Sequence, residues 1–174
     1  MNGLHLFIDN SNIFIEAQRV ARTKYYFDDD LIRRVRISYG NLLEVVRQNR
    51  KLQETVLVGS RPPNNDLFWN KLKTFGIEPK IFDRSFGQEK RVDAELSNAI
   101  RDTLEDNLTP GTIALVAGDQ DYIPTLERCV KRKWKVEIYF WEQASSALKS
   151  MEETQFINLD DSFESITFVE KARE

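Results

Sequence analysis

Three short stretches of the chain carry carboxylates in positions where they could act together. Phe7-Ile8-Asp9-Asn10-Ser11-Asn12 and Ala117-Gly118-Asp119-Gln120-Asp121-Tyr122 each close an apolar run, and Lys90-Arg91-Val92-Asp93 opens a helical pattern. Clustered carboxylates are hard oxygen donors, suited to Mg2+ or Mn2+. Each also has an ordinary structural use. Asp9 or Ser11 can cap the helix that follows, and for Asp9 capping and function weigh evenly. Asp93, read in a first helical turn, gains ~0.3–1 kcal/mol from the helix dipole. Asp121 can cap a helix starting near Tyr122, with Pro124 tolerated in its first turn. That leaves Asp119 without a structural task. Two carboxylates two residues apart in a loop repel each other unless a cation sits between them. Metal binding therefore outweighs capping for the Asp119–Asp121 pair, in a loop where Gly118 permits a tight turn.

The elements that position these residues follow from the hydrophobic pattern. Residues 4–8, 55–58, 77–82, 112–117 and 136–140 are short, apolar and rich in β-branched or aromatic side chains, the signature of buried parallel strands. Between them lie helical patterns at 13–21, 38–50, around Leu67–Phe75 with Gly76 as a C-terminal cap, at Val92–Leu104, 122–133 and 145–151. Alternating strands and helices predict an α/β fold, a doubly wound three-layer α/β/α sandwich with a mainly parallel central sheet. Five strands in the order 3-2-1-4-5 place the ends of strands one and four side by side at the switch point, where such sheets bind ligands. Asp9 then lies beside Asp119 and Asp121, and the start of the Asp93 helix overhangs the same crevice. Residues 1–160 read as one domain and 161–174 as a C-terminal tail that packs on the domain or on a partner subunit. Phe163, Ile166 and Phe168 in that tail would suit a homodimer contact. The stretch 23–35 reads as either loop or a short extra helix.

Bulk properties narrow the chemistry. The 174 residues, 41% hydrophobic and 30% charged, suit one soluble domain with a sizeable core. No apolar run approaches the ~20 residues needed to cross a bilayer. No secretory signal is visible at the N-terminus, and Cys129 is the single cysteine, so the expectation is a cytoplasmic protein without an internal disulfide or a membrane partner. One Cys and one His cannot build a Cys/His zinc site, which again favours oxygen ligation. A net charge of −3 argues against a general nucleic-acid coat but not against an acidic cleft with local basic patches.

The three acidic stretches, with Trp134-Lys135-Val136-Glu137-Ile138-Tyr139 and Ser146-Ala147-Leu148, resemble the NYN-domain family of PIN-like metal-dependent nucleases over roughly residues 4 to 160. The resemblance implies a PIN-like sheet and Mg2+- or Mn2+-dependent cleavage of RNA. It implies that Asp9, Asp93, Asp119 and Asp121 are metal-binding acids and that Asn12 orients Asp9 or a bound water. On this reading Asp9 and Asp119 hold a first ion, while Asp93 and Asp121 bind it through water or hold a second. Products would end in 5′-phosphate and 3′-hydroxyl. The chain departs from the family's pattern at Ala99, where relatives often carry a further Asp six residues after the one matching Asp93.

Arg61, Arg84, Lys90 and Arg91 fall at the carboxyl ends of strands, on the same edge as the acids, and are the candidate phosphate contacts. The denser run Lys131, Arg132, Lys133, Lys135 falls at the opposite edge, where it complements a helix dipole. His5 receives no role, and Trp69, Trp134 and Trp141 read as core or subunit contacts. Two alternatives stay open. One is a binding module that keeps the fold with a weakened site, supported by Ala99. The other is a small-molecule phosphohydrolase, disfavoured because Asp9-Asn10-Ser11 lacks a second Asp and no Gly-rich phosphate loop is present.

Overall fold

A computed structural model describes residues 3–60, 66–82 and 88–172. In chain order the elements are β1 (Leu4–Asp9), α1 (Asn10–Lys24), α2 (Asp29–Arg33), β2 (Val35–Ile37), α3 (Tyr39–Arg47), β3 (Leu52–Ser60), α4 (Asp66–Thr74), β4 (Glu78–Phe82), α5 (Gln88–Asp106), β5 (Thr112–Val116), a 3-10 turn (Gln120–Tyr122), α6 (Ile123–Lys131), β6 (Lys135–Phe140), α7 (Ser146–Lys149), β7 (Gln155–Asn158), a second 3-10 turn (Asp160–Ser162), α8 (Phe163–Ile166) and β8 (Thr167–Val169).

The main sheet runs β4-β3-β1-β5-β6-β7, and each pairing in it is parallel. Its first five members are the five strands read from the sequence, in the expected order. β1 lies in the middle, and all six of its residues are buried, as a strand covered on both faces requires. Period-two alternation sends Leu4, Leu6 and Ile8 into the core that α1 and α3 cover, and Phe7 into the core beneath α5 and α6. Asp9 has the parity of Phe7, so its side chain belongs to the α5 and α6 face.

The chain moves from β1 outward to β3 and β4, then returns past β1 to add β5 on its other side. That return spans three strand spacings, about 14 Å. It is made by α5, whose 19 residues extend about 28 Å and which packs on both β3 and β1.

Several elements differ from the sequence reading, each for a local reason. β7 extends the sheet to six strands. Its residues are exposed or half-buried, as suits an edge, so it lacks the apolar run that marks the central strands. The ambiguous stretch 23–35 contains α2, whose start is capped by the Asp28 carboxylate accepting from the Leu31 N–H at 2.9 Å. β2 and β8 form a separate antiparallel pair of three residues each, too short to show a period. Gly76 ends α4 as expected, with φ of 78° and its N–H bonded to the Lys73 carbonyl.

The tail belongs to the body of the fold. Phe163 and Ile166 are buried, and the Phe163 ring stacks on Tyr25 at 4.4 Å and meets Trp141 edge-on at 5.8 Å. The Ser38 N–H donates to the Ile166 carbonyl. Two of the three tail residues suited to a subunit contact are thus used inside the chain, and only Phe168 remains half exposed. Phe163→Ala should cost about 3–5 kcal/mol in urea unfolding, the range for a buried aromatic. A loss under about 1 kcal/mol would mean the tail is a peripheral attachment.

Candidate metal centre

Asp9 is the last residue of β1 and the N-cap of α1. Its Oδ1 accepts from the Asn12 N–H at 3.0 Å, so the capping role is real. Capping occupies one oxygen. The other, Oδ2, accepts from the Tyr122 hydroxyl at 2.9 Å. The carboxylate is 4% exposed, buried at the carboxyl end of the sheet.

Asn12 connects two elements. Besides the backbone bond to Asp9, its Oδ1 accepts from the Gly118 N–H at 2.8 Å, joining the start of α1 to the loop after β5. The Gly118 carbonyl in turn accepts from Ser145 N–H at 2.9 Å. A Cβ on Gly118 would lie 2.2 Å from Phe140 Cδ2, so this position requires glycine because the Phe140 ring presses against it. Tight-turn freedom is not the reason, since Gly76 is the one described glycine with positive φ.

Capping in the acidic loop is the reverse of the sequence reading. Asp119, not Asp121, is the N-cap: its Oδ1 accepts from the Asp121 N–H at 2.9 Å at the start of the 3-10 turn. Asp121 is exposed. Pro124 sits at the start of α6, where it is tolerated. Asp93 also departs from expectation. α5 begins at Gln88, which puts Asp93 in the second turn, beyond the reach of a first-turn dipole effect.

Asp93, Asp119 and Asp121 each offer a carboxylate oxygen, and these atoms lie within 4.8 Å of one another. Asp9 stands beside this trio, close enough for its charge to act on Asp93. The Asp93 carboxyl is pushed up to about 7, first by burial and then by the charges of Asp9 and Asp119, against a partly offsetting hydrogen bond with Tyr122. Burial also drives the Tyr122 hydroxyl far above its ordinary range, so it remains a proton donor. Negative charge on three converging hard donors, two of them half-buried, is the environment a dication relieves, and the donor set fits Mg2+ or Mn2+.

The NYN domain family model matches residues 4–160. The chain belongs to the NYN-domain family. This is a PIN-like nuclease family, and its nucleases generally depend on divalent metal. Comparison with curated proteins returns no significant match. Against the family's pattern, Ala99 of this NYN domain is 6% exposed and packs in the apolar core beneath α5. It lies about 9 Å along the helix from Asp93.

Among the other candidates, Arg61 and Arg84 lie outside the described residues, as do the side chains of Lys90 and Arg91. Trp134 and Trp141 are core residues, and the Trp141 indole N–H donates to the Ile13 carbonyl. His5 is buried against Trp134 and beside Glu54. No described helix is long and apolar enough to cross a membrane. The residue that sequence reasoning missed is Tyr122. Its signal was present: Tyr122, Leu126 and Cys129 repeat at helical spacing on one buried face, which turns Tyr122 inward at the end of β1.

Asp93 supplies a pH test. Its folded-state carboxyl titrates near 7, against 3.8 for an ordinary Asp, so the folded protein holds this proton more tightly than the unfolded chain. The metal-free protein should therefore lose stability as pH rises from about 4 to about 7, and the penalty should be complete above that. Asp93→Asn removes the charge and should raise Tm in EDTA at pH 8 by about 2–4 °C, the shift expected for about 1 kcal/mol. The gain should vanish near pH 4. Equal effects at both pH values would show that Asp93 is not under charge strain.

Proposed function

We propose that this NYN domain hydrolyses RNA phosphodiester bonds at the Asp93–Asp119–Asp121 group with the help of Mg2+ or Mn2+. The observation that carries the reading is the convergence of three carboxylates within 4.8 Å, in a member of a nuclease family. Asp93, Asp119 and Asp121 would hold the ion, and Asp9 adds negative charge beside them. When bound, the ion would acidify an attacking water and offset charge building on the phosphate. Asp119 does two things at once: one oxygen fixes the loop through the Asp121 N–H, and the carboxylate remains a member of the trio. Asn12 keeps the two halves of the site in register, through Asp9 on one side and Gly118 on the other. With alanine at position 99, Asp93 is the one acid of α5 in the group among the described residues, which favours a single ion.

The RNA backbone would be held by Arg61, Arg84, Lys90 and Arg91. Their chain positions support this, because Arg61 and Arg84 follow β3 and β4 in sequence and Lys90 and Arg91 fall in the first turn of α5, the helix that carries Asp93. Four such contacts on single-stranded RNA predict a log–log salt slope of about −3, from ~0.7 per phosphate.

Asp119→Asn should lower kcat on a fluorescent RNA by roughly 100-fold, the scale of a lost electrostatic contact in the transition state. RNA binding should keep its salt slope. Cleavage at the wild-type rate would sink the catalytic reading. A wild-type protein that binds Mn2+ and RNA without cleaving would instead be a binding module built on the same site.

A further inference from the structure

Tyr122 is fully buried, and its ring packs in the same core as Leu126 and Cys129. A phenylalanine would fill that space equally well, so the hydroxyl needs its own explanation. A phenol carries one proton. That proton is directed at Asp9 Oδ2, 2.9 Å away, in a fully buried bond. Asp93 lies close enough to the phenol for the two groups to act on each other's proton affinity. One side chain thus bonds the acid at the end of β1 and acts on the acid of α5, and it leads directly out of the loop that carries Asp119 and Asp121. Asp9 is fixed from two directions, by Tyr122 on Oδ2 and by the Asn12 N–H on Oδ1.

We propose that Tyr122 is a positioning residue for the metal centre: its hydroxyl pins Asp9 to the fold and sets Asp93 at ion-binding distance from Asp119 and Asp121. The inference rests on the metal-centre reading. Without the hydroxyl, Asp9 loses the bond to its Oδ2, and its charge bears more strongly on Asp93 and works against holding Asp93 with the trio. Tyr122 is covered by the core and cannot touch RNA, so its loss acts on the ion and not on substrate binding.

The test is Mn2+ titration of the full chain, read by the electron paramagnetic resonance signal of free Mn2+, for wild type, Tyr122→Phe and Leu126→Ala. Tyr122→Phe should weaken Mn2+ binding about tenfold, the effect of one lost hydrogen bond to a charged group. It should slow RNA cleavage at low Mn2+, recover at high Mn2+ and leave the KM for RNA unchanged. Leu126→Ala damages the same buried face without touching a hydroxyl. It should lower Tm and leave Mn2+ affinity as in wild type. Equal Mn2+ affinity in wild type and Tyr122→Phe overturns the inference while leaving the metal centre standing. An equal loss in Leu126→Ala overturns it too, because packing would then explain the effect. A wild-type protein that binds no Mn2+ removes the metal centre and this inference together.

Discussion

β1 pairs with β3 on one side and β5 on the other, and the placement of the acidic side chains follows from that. Ile8 is in register with Val116 of β5, and Asp9 with Val58 of β3. The residue after Ile8 and the loop after Val116 therefore emerge together at one edge. The return from β4 to β5 must cross β3 and β1, so a long α5 lies over the end of β1 and brings Asp93 down beside Asp9. Three stretches far apart in sequence meet because one strand sits at the reversal point of the sheet.

Bringing acids together has an electrostatic cost, and the fold distributes it unevenly. Asp9 is satisfied by the Asn12 N–H and the Tyr122 hydroxyl, and Asp119 accepts a backbone N–H while Asp121 faces solvent. The strain collects on Asp93, half-buried among like charges. A protein selected for stability alone would place an apolar residue or a base there. A carboxyl kept at that point, against the local cost, is what a cation-binding role would explain.

The sheet order is legible in the sequence because it rests on strong hydrophobic patterns, and the acids are legible because they stand where those patterns end or begin. Central strands are apolar throughout, and the order of elements leaves few ways to connect them. What was illegible depended on single hydrogen bonds. Which of Asp119 and Asp121 caps the turn is decided by one N–H, and sequence reasoning chose the wrong one. Gly118 was assigned to turn geometry, whereas the Phe140 ring explains it, a contact between residues 22 apart that no local pattern reports. The start of α5 was placed too late, which lent Asp93 a dipole explanation it does not have. Tyr122 ends an acidic motif in the sequence, yet its buried helical face makes it part of the site. The tail residues Phe163 and Ile166 were apolar for the sake of their own core, a distinction composition cannot make.

The most direct test of a divalent-metal centre at the Asp93–Asp119–Asp121 trio is a crystal soaked in Mn2+ and measured for anomalous scattering. The account predicts one strong peak bounded by the carboxylates of Asp93, Asp119 and Asp121, with Asp9 still bonded to Tyr122. A map with no peak there at saturating Mn2+, or with the ion held elsewhere in the chain, would contradict it.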